Sequence, residues 1–274
     1  MKKEIMYPAL SEKDYGCFRV SGPGLANCMY VAARAYVNAK IKGTDMIAPT
    51  WRKISIGPIL RGERDKRVYS DLFYDKGITG FRKLWLLKIQ PKRLVKFMGC
   101  GDYFTDLEPH YKLVQEYFDG IIRPKTIEQV ATNGLLEDCV AVHVRLGDYV
   151  ESWRVSLDWY KGVMENILKI NPKQKFVIFS DGSDEELQLL LNIPNAERAF
   201  YGNAFADIWA ISKCKMLIAS MSTFSGWGAF LGRVPILFNK RNFPSVFSGN
   251  VPEAVIGDST ELPKEFKAII SNSL

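Results

Sequence analysis

The stretch CVAVHVRLGDYV, Cys139 to Val150, decides how the rest of the chain is read. Its first six residues are a short apolar run followed by a polar, glycine-containing tail, the pattern of a strand buried on both faces. Downstream the alternation repeats. LDWYKGVMENILKI after Ser156 reads as an amphipathic helix with a serine at its start. KFVIFSD is a strand ending at Asp181, and DEELQLLL is a helix with acidic residues in its first turn. FADIWAISKCK is a helix, MLIAS a strand, TFSGWGAFLG a helix and VPILF a strand. Short apolar strands alternating with helices predict a parallel sheet covered on both faces.

In open sheets of this kind, ligands bind outside the carboxyl ends of the strands. Those ends read His143-Val-Arg145-Leu-Gly147-Asp148, then Ser180-Asp181-Gly182, then Ser220-Met-Ser222-Thr223. All three are polar, small or charged, and all are expected to line one crevice.

Upstream, the chain reads as mixed α/β. Tyr15–Val20 is a strand candidate before the turn Ser21-Gly22-Pro23-Gly24, and Leu25–Lys40 is an alanine-rich helix. An irregular region with the charged loop RGERDKR fills Gly43 to Gly80. Arg93–Met98 reads as a strand, and Pro109–Gly120 and Lys125–Asn133 as helices, the latter stopping at Asn133-Gly134. The change of composition near Glu137 predicts a boundary around residues 135–138, giving segments over 1–136 and 137–250 and a tail over 251–274 packing back on the fold.

At 274 residues, 47% hydrophobic and 24% charged, the chain can bury a sizeable core, which excludes disordered and low-complexity classes. No apolar run reaches the ~18–20 residues of a membrane span, and MKKEIMYPALSEKDYG lacks the apolar stretch of a secretory signal. A cytoplasmic location is expected. Cys17, Cys28, Cys100, Cys139 and Cys214 are scattered without a C-x-x-C pair, and only His110 and His143 are histidines, so no metal site is expected. The net charge of +7 favours anionic partners. Within Arg82–Lys96, RKLWLLKIQPKRLVK carries six basic residues and no acidic one among seven apolar ones. Two readings stand: a segment resting on an anionic membrane surface through Lys83, Lys88, Lys92, Arg93 and Lys96, or a solvated helix followed by a strand.

Three segments carry chemistry. On a strand end, side chains alternate with period two, so His143 and Arg145 project from one face. Arg145 then offers a charged fork to a phosphate, with Gly147 allowing close backbone approach; the alternative is a surface bridge from Arg145 to Asp148. The start of TFSGWGAFLG offers hydroxyls and backbone N–H groups to an anion, or merely N-caps at Thr223 and Ser225. Asp207 near a helix start is either favoured by the dipole or able to accept from the paired N–H donors of guanine.

Taken together, HVRLGDY, FSD and ADIWAISKCKMLIASMSTFSGWGAFL resemble, in order and spacing, the donor half of glycosyltransferase family 11, the α-1,2-fucosyltransferases, whose motif is related to that of α-1,6-fucosyltransferases. The family pattern is H-x-R-x-G-D-Y, F-S-D, then D-x-x-x-M-S-x-C-K leading to N-S-S/T-F-S-W-W. Gly24-Leu25-Ala26-Asn27-Cys28-Met29 resembles the family's G-L-G-N-Q-M turn. The resemblance is clear over residues 139–238 and thin over 43–135. It implies an α/β fold of GT-B type: two Rossmann-like parallel-sheet domains with the active site in the cleft between them. It further implies an inverting, metal-independent transfer of L-fucose from GDP-fucose to a glycan hydroxyl, such as the 2-OH of a galactoside, in surface polysaccharide or lipopolysaccharide synthesis.

Carried over, Arg145 holds the β-phosphate, His143 lies near the nucleotide and Asp207 reads guanine. Asp181 belongs to the donor site, Ser222, Thr223, Phe224 and Ser225 cradle the diphosphate, and Asn27 faces the donor from the first domain. Asp148, His143 and the acidic loop Asp102–Glu108 are the candidate bases. Family members of bacterial type extend lipid-carried glycans at the cytoplasmic membrane face, which gives the basic segment a use. The chain departs from the pattern at Ala26, Cys28, Met221 and Gly226-Trp227, positions bearing on the acceptor side and the linkage. Transfer from a different GDP-sugar, or to another linkage, is the competing outcome within the fold. Outside it, the remote alternative is an NAD-dependent oxidoreductase: Gly22-Pro23-Gly24-Leu25-Ala26-Asn27 half-imitates a dinucleotide fingerprint but lacks its third glycine and acidic residue. The charge is confined to one segment with no nucleic-acid-binding module, so no nucleic-acid partner is expected.

Overall fold

A computed structural model describes residues 3–54, 60, 65–132, 136–147 and 151–271. The chain divides into two units, Met1–Glu128 and Gln129–Leu274. In the first, β1 (Ile5–Pro8) is buried throughout and lies between β4 (Asp45–Met46) and β6 (Leu94–Phe97), both parallel to it. A second sheet joins β2 (Lys13–Asp14), β3 (Arg19–Val20) and β5 (Lys53–Ile54). Helix α1 (Leu25–Ile41) is buried along most of its length, its small Ala26, Ala32, Ala33, Ala35 and Ala39 allowing close packing. Helices α2 (Gly80–Ile89), α3 (Tyr111–Asp119) and α4 (Pro124–Thr132) follow.

This unit departs from expectation in three places. Tyr15–Val20 is not one strand. Gly16 adopts a left-handed φ of 85° and donates its N–H to Asp14 Oδ1 at 2.8 Å, folding the segment into a hairpin that pairs Lys13 with Val20. The central strand β1 lay in a stretch with no assigned element, because Pro8 interrupts its apolar run. The region Gly43–Gly80 contains the two-residue strands β4 and β5, while residues 61–64 of the charged loop lie outside the described residues. The basic segment is a helix followed by a strand, with one reversal of expectation. Lys83 points inward, donating to Ala48 O at 2.6 Å and Thr50 Oγ1 at 2.8 Å.

The second unit follows its sequence pattern closely. Strands β7 (Cys139–Val144), β8 (Lys175–Ser180), β9 (Ala196–Arg198), β10 (Met216–Ala219), β11 (Ile236–Phe238) and β12 (Glu253–Val255) form one parallel sheet in the order β12-β11-β10-β7-β8-β9. Around it run α5 (Leu157–Ile170), α6 (Asp184–Leu191), α7 (Ala204–Ile211), α8 (Thr223–Gly232) and α9 (Lys264–Ser271). Val140, Val142 and Val144 join Ile178, Ile218, Tyr160, Val163, Leu187 and Phe266 in one core. His143, alternating with them, therefore faces the opposite side of the sheet.

Local sequence starts these helices where they are seen. Ser156 caps α5 by accepting Asp158 N–H, and Ser183 with Glu186 forms a full capping box on α6. The helix expected over FADIWAISKCK stops at Ile211, where the Ser212 hydroxyl turns back to donate to Trp209 O.

Helices α7 and α8 approach closely because α8 carries glycines. A Cβ at Gly228 would overlap Ile211, and one at Gly232 would overlap the Ser212 carbonyl. Backbone cannot give way as a side chain tip does. Gly232→Ala is expected to lower unfolding stability by roughly 1–3 kcal/mol or more, measured by urea denaturation. A fully stable variant would show that the helices can separate at no cost.

Candidate active site

The carboxyl ends of all six parallel strands of the second unit lie on one edge, as do the starts of α6, α7 and α8. The chain runs from β7 outward through β8 and β9, then returns to the other side of β7 to make β10. The strand order thus reverses between β7 and β10, which is the position where such sheets open a crevice.

His143, on the last turn of pleat in β7, sits at this reversal. Its Nδ1 lies 2.6 Å from Ser225 Oγ and 3.0 Å from Ser220 Oγ, and the two hydroxyls are 3.5 Å apart. His143, Ser220 and Ser225 are all buried. The ring stacks on Phe224 at 4.8 Å between centroids, 22° from parallel. Below them, Ser220 N–H donates to His143 O at 3.0 Å, continuing the β7–β10 ladder. The imidazole thus ties two strands to the first turn of α8. Burial, and next the positive charge of Arg145, hold its pKa well below the usual value, with Asp181 opposing the shift. At neutral pH it is an uncharged ring engaged with hydroxyls, a poor proton acceptor.

Arg145 is paired with Asp181 across the ends of β7 and β8. Its Nη1 is 2.7 Å from Asp181 Oδ2, and each side chain is 24% exposed. Asp181 Oδ1 accepts Leu146 N–H at 2.9 Å, so one carboxylate holds both the guanidinium and the backbone beside it. Gly147 makes this possible, since a Cβ there would sit 2.5 Å from Asp181 Oδ2. Asp148, the other candidate partner and a candidate base, lies outside the described residues. Arg198, which sequence reasoning did not single out, secures the end of β8. Its Nη2 donates to Ser180 O at 3.2 Å and Gly182 O at 2.5 Å, and Nη1 pairs with Asp184.

At the start of α8 the N-cap is Ser222, whose Oγ accepts Phe224 N–H at 3.2 Å. This corrects the alternative reading of Thr223 and Ser225 as caps. Thr223 is the first helical residue, half-buried like Phe224, and Ser225 turns in to His143. The turn therefore offers polar groups at the partly exposed Ser222–Phe224 edge, held from beneath by His143. Asp207 lies near the start of α7, where Asn203 is the cap, and its Oδ1 accepts Tyr201 N–H at 2.8 Å. Asn27 is half-buried in the first turn of α1, in the first unit. Ser220 was read as a strand end, but not as a partner of His143. The only signal was its place one residue beyond the apolar run of β10. Among the described residues no three His, Cys, Asp or Glu side chains cluster to hold a metal ion.

With this geometry in place, comparison with known proteins is informative. The fold is shared with NodZ α-1,6-fucosyltransferase from Bradyrhizobium, co-crystallised with GDP, at a TM-score of 0.55 and 14% identity over 86% of this chain and 94% of that one. A mutant of Arabidopsis thaliana FUT1 in complex with GDP gives a TM-score of 0.50 at 10% identity, over 90% and 72% of the two chains. The architecture is the two-domain, Rossmann-like GT-B fold. Residues 102–244, more than half of the chain, match the family Glycosyl transferase family 11, and the chain belongs to that family. It is also 28% identical over 131 residues to the O-antigen biosynthesis glycosyltransferase WbnK of Escherichia coli. That match spans 43% of this chain and only 42% of the relative's length.

The depressed His143 pKa carries a stability consequence. Unfolded, the ring titrates near ~6.5; folded, it stays neutral to lower pH, so the unfolded chain binds the extra proton in between. Stability from this group is complete above about pH 6.5 and declines as pH falls below it, by up to about 1.4 kcal/mol per pH unit. Urea denaturation at successive pH values should show this slope in the native chain and a shallower one in His143→Gln. Equal slopes would mean that the folded ring protonates normally.

Proposed function

We propose that the protein is an inverting, metal-independent fucosyltransferase that moves L-fucose from GDP-fucose to a glycan hydroxyl. The observation that carries this reading is the placement of Arg145, fixed by Asp181, on the same sheet edge as the Ser222–Phe224 helix start. That edge presents a guanidinium and a polar helix start where a leaving diphosphate would gather charge. Family membership, and the GDP named in the NodZ and FUT1 structures, support a GDP-linked donor.

In the proposed step the bond from fucose C1 to the β-phosphate oxygen breaks, its electron pair leaving with GDP. Arg145 and the groups at Ser222, Thr223 and Phe224 stabilise that charge. The acceptor oxygen forms the new bond to C1 from the opposite face and loses its proton to a carboxylate. Asp148 and the acidic residues of Asp102–Glu108 are the candidates, since burial and the Arg145 charge disfavour the protonated form of His143. Asp207 reads the guanine edge, and Asp181 positions Arg145.

The acceptor we infer is a lipid-carried surface glycan at the cytoplasmic membrane face, with the 2-OH of a galactoside as the attacking group. The O-antigen role named for WbnK supports that substrate class. A second reading, another linkage or GDP-sugar, is favoured by one feature. Of the family's tandem tryptophans only Trp227 is kept, fully buried against Phe230 at 5.6 Å, while Gly226 replaces the other.

Calorimetry with GDP, ADP and UDP, with and without EDTA, tests the donor site. Tight binding of GDP alone, unaffected by EDTA, is the expected result. Equal or absent binding of all three would remove the assignment. In turnover assays with GDP-fucose and galactosides, Arg145→Lys should lower kcat by ~100-fold or more, because a point charge does not reproduce a planar fork. Unchanged turnover would sink the role given to Arg145.

A further inference from the structure

Helix α2 turns an apolar stripe outward. At about 100° per residue, its exposed arc runs in the order Lys88, Phe81, Trp85, Ile89, Arg82, so three large apolar side chains are bracketed by a cation on each side. Phe81 is 83% exposed, Ile89 66% and Trp85 38%. The opposite face does the ordinary work of a helix. Leu86 and Leu87 pack with Ile5, Tyr7 and Ile47 against the first unit's sheet, and Lys83 is spent on Ala48 and Thr50.

The charged residues of the segment Arg82–Lys96 itself are all cations, and one carboxylate, Asp45, faces them. Lys88, Lys92 and Lys96 are exposed, and Arg82 faces Asp45 at 3.6 Å across a pair about two-thirds exposed on both sides. An exposed pair of that kind is weak and easily exchanged. Arg93 turns back, donating to Gln90 Oε1 and Lys3 O. A soluble helix normally puts its polar face to water; here water meets phenyl, indole and sec-butyl groups flanked by ammonium and guanidinium groups. That arrangement matches a bilayer surface, where apolar side chains enter the headgroup–acyl boundary and flanking cations meet lipid phosphates. The cation-bordered stripe has the charge complement of an anionic lipid surface.

We propose that α2 is a membrane-docking helix that seats the protein on anionic bilayers through Phe81, Trp85 and Ile89, with Arg82, Lys88 and Lys92 at the headgroups. The inference rests on the exposed face of α2 and is independent of the transferase reading.

Co-sedimentation of the full chain with phosphatidylcholine vesicles, with and without phosphatidylglycerol, tests it. Binding should require phosphatidylglycerol and weaken with added salt. Phe81→Ser combined with Ile89→Ser should weaken it by about tenfold or more, and so should Lys88→Glu combined with Lys92→Glu. The charge variant alters only exposed side chains, so it remains informative if the apolar variant fails to fold. Melting curves and GDP calorimetry on both variants, expected to match the native chain, separate loss of docking from loss of fold or donor binding. Equal binding to neutral and anionic vesicles would overturn the proposal, as would native-like binding by both variants. So would self-association in sedimentation velocity that the Phe81→Ser, Ile89→Ser variant abolishes, since the stripe would then be a contact between copies.

Discussion

The hydrogen bonds that join His143 Nδ1 with Ser225 Oγ at 2.6 Å and Ser220 Oγ at 3.0 Å are the constraint on which the functional edge of the second unit depends. They sit at the ends of the paired strands β7 and β10, where the strand order reverses, and tie the first turn of α8 to them. A charged imidazole in that buried place would need a counter-charge. A neutral one needs only hydroxyls, and both are supplied. The ring also stacks on Phe224, so the residue next to Ser225 is set by the same contact. One buried ring therefore determines where the Ser222–Phe224 edge lies relative to the end of β7.

The second element of the edge is built around a carboxylate. Asp181, at the end of β8, receives Arg145 and the Leu146 amide together. Arg198 in turn holds the Ser180–Gly182 backbone from the neighbouring strand. Three adjacent strands, β7, β8 and β9, are thus linked at their carboxyl ends by two arginines, and Gly147 keeps the space that the first link needs. The charged group at the edge is oriented by its neighbours before any ligand arrives, which limits the conformational freedom lost on binding.

Legibility in the sequence followed the physics of each segment. Strands β7, β8 and β10 are buried on both faces and so appear as unbroken apolar runs, and Ser156 announces α5 by capping as the acidic first turn announces α6. The polar ends Arg145, Asp181 and Ser222 could be read off because the topology gathers strand ends. What could not be read were partners far apart in sequence. Ser220 and Ser225 reach His143 across 77 and 82 residues. Lys83 reads as a surface cation in the sequence, but its ammonium donates to Ala48 O and Thr50 Oγ1, Thr50 itself donating to Asp14 at 2.7 Å. Strand β1 was hidden by Pro8, tolerated because it ends the strand.

The pairing of Arg145 with Asp181 bears on how such an edge would treat a diphosphate. A lone guanidinium would attract an anion strongly but wander among rotamers. Paired, it is held in place, and its net attraction at a distance is reduced by the carboxylate. The gain lies in discrimination. A ground-state diphosphate already solvated by water has little to win from a neutralised pair, whereas charge growing on a leaving phosphate meets a donor already aimed at it. On the proposed reading, His143 serves the same end by staying uncharged. A second positive charge beneath the turn would bind substrate and product GDP alike, and would slow product release without favouring the transition state.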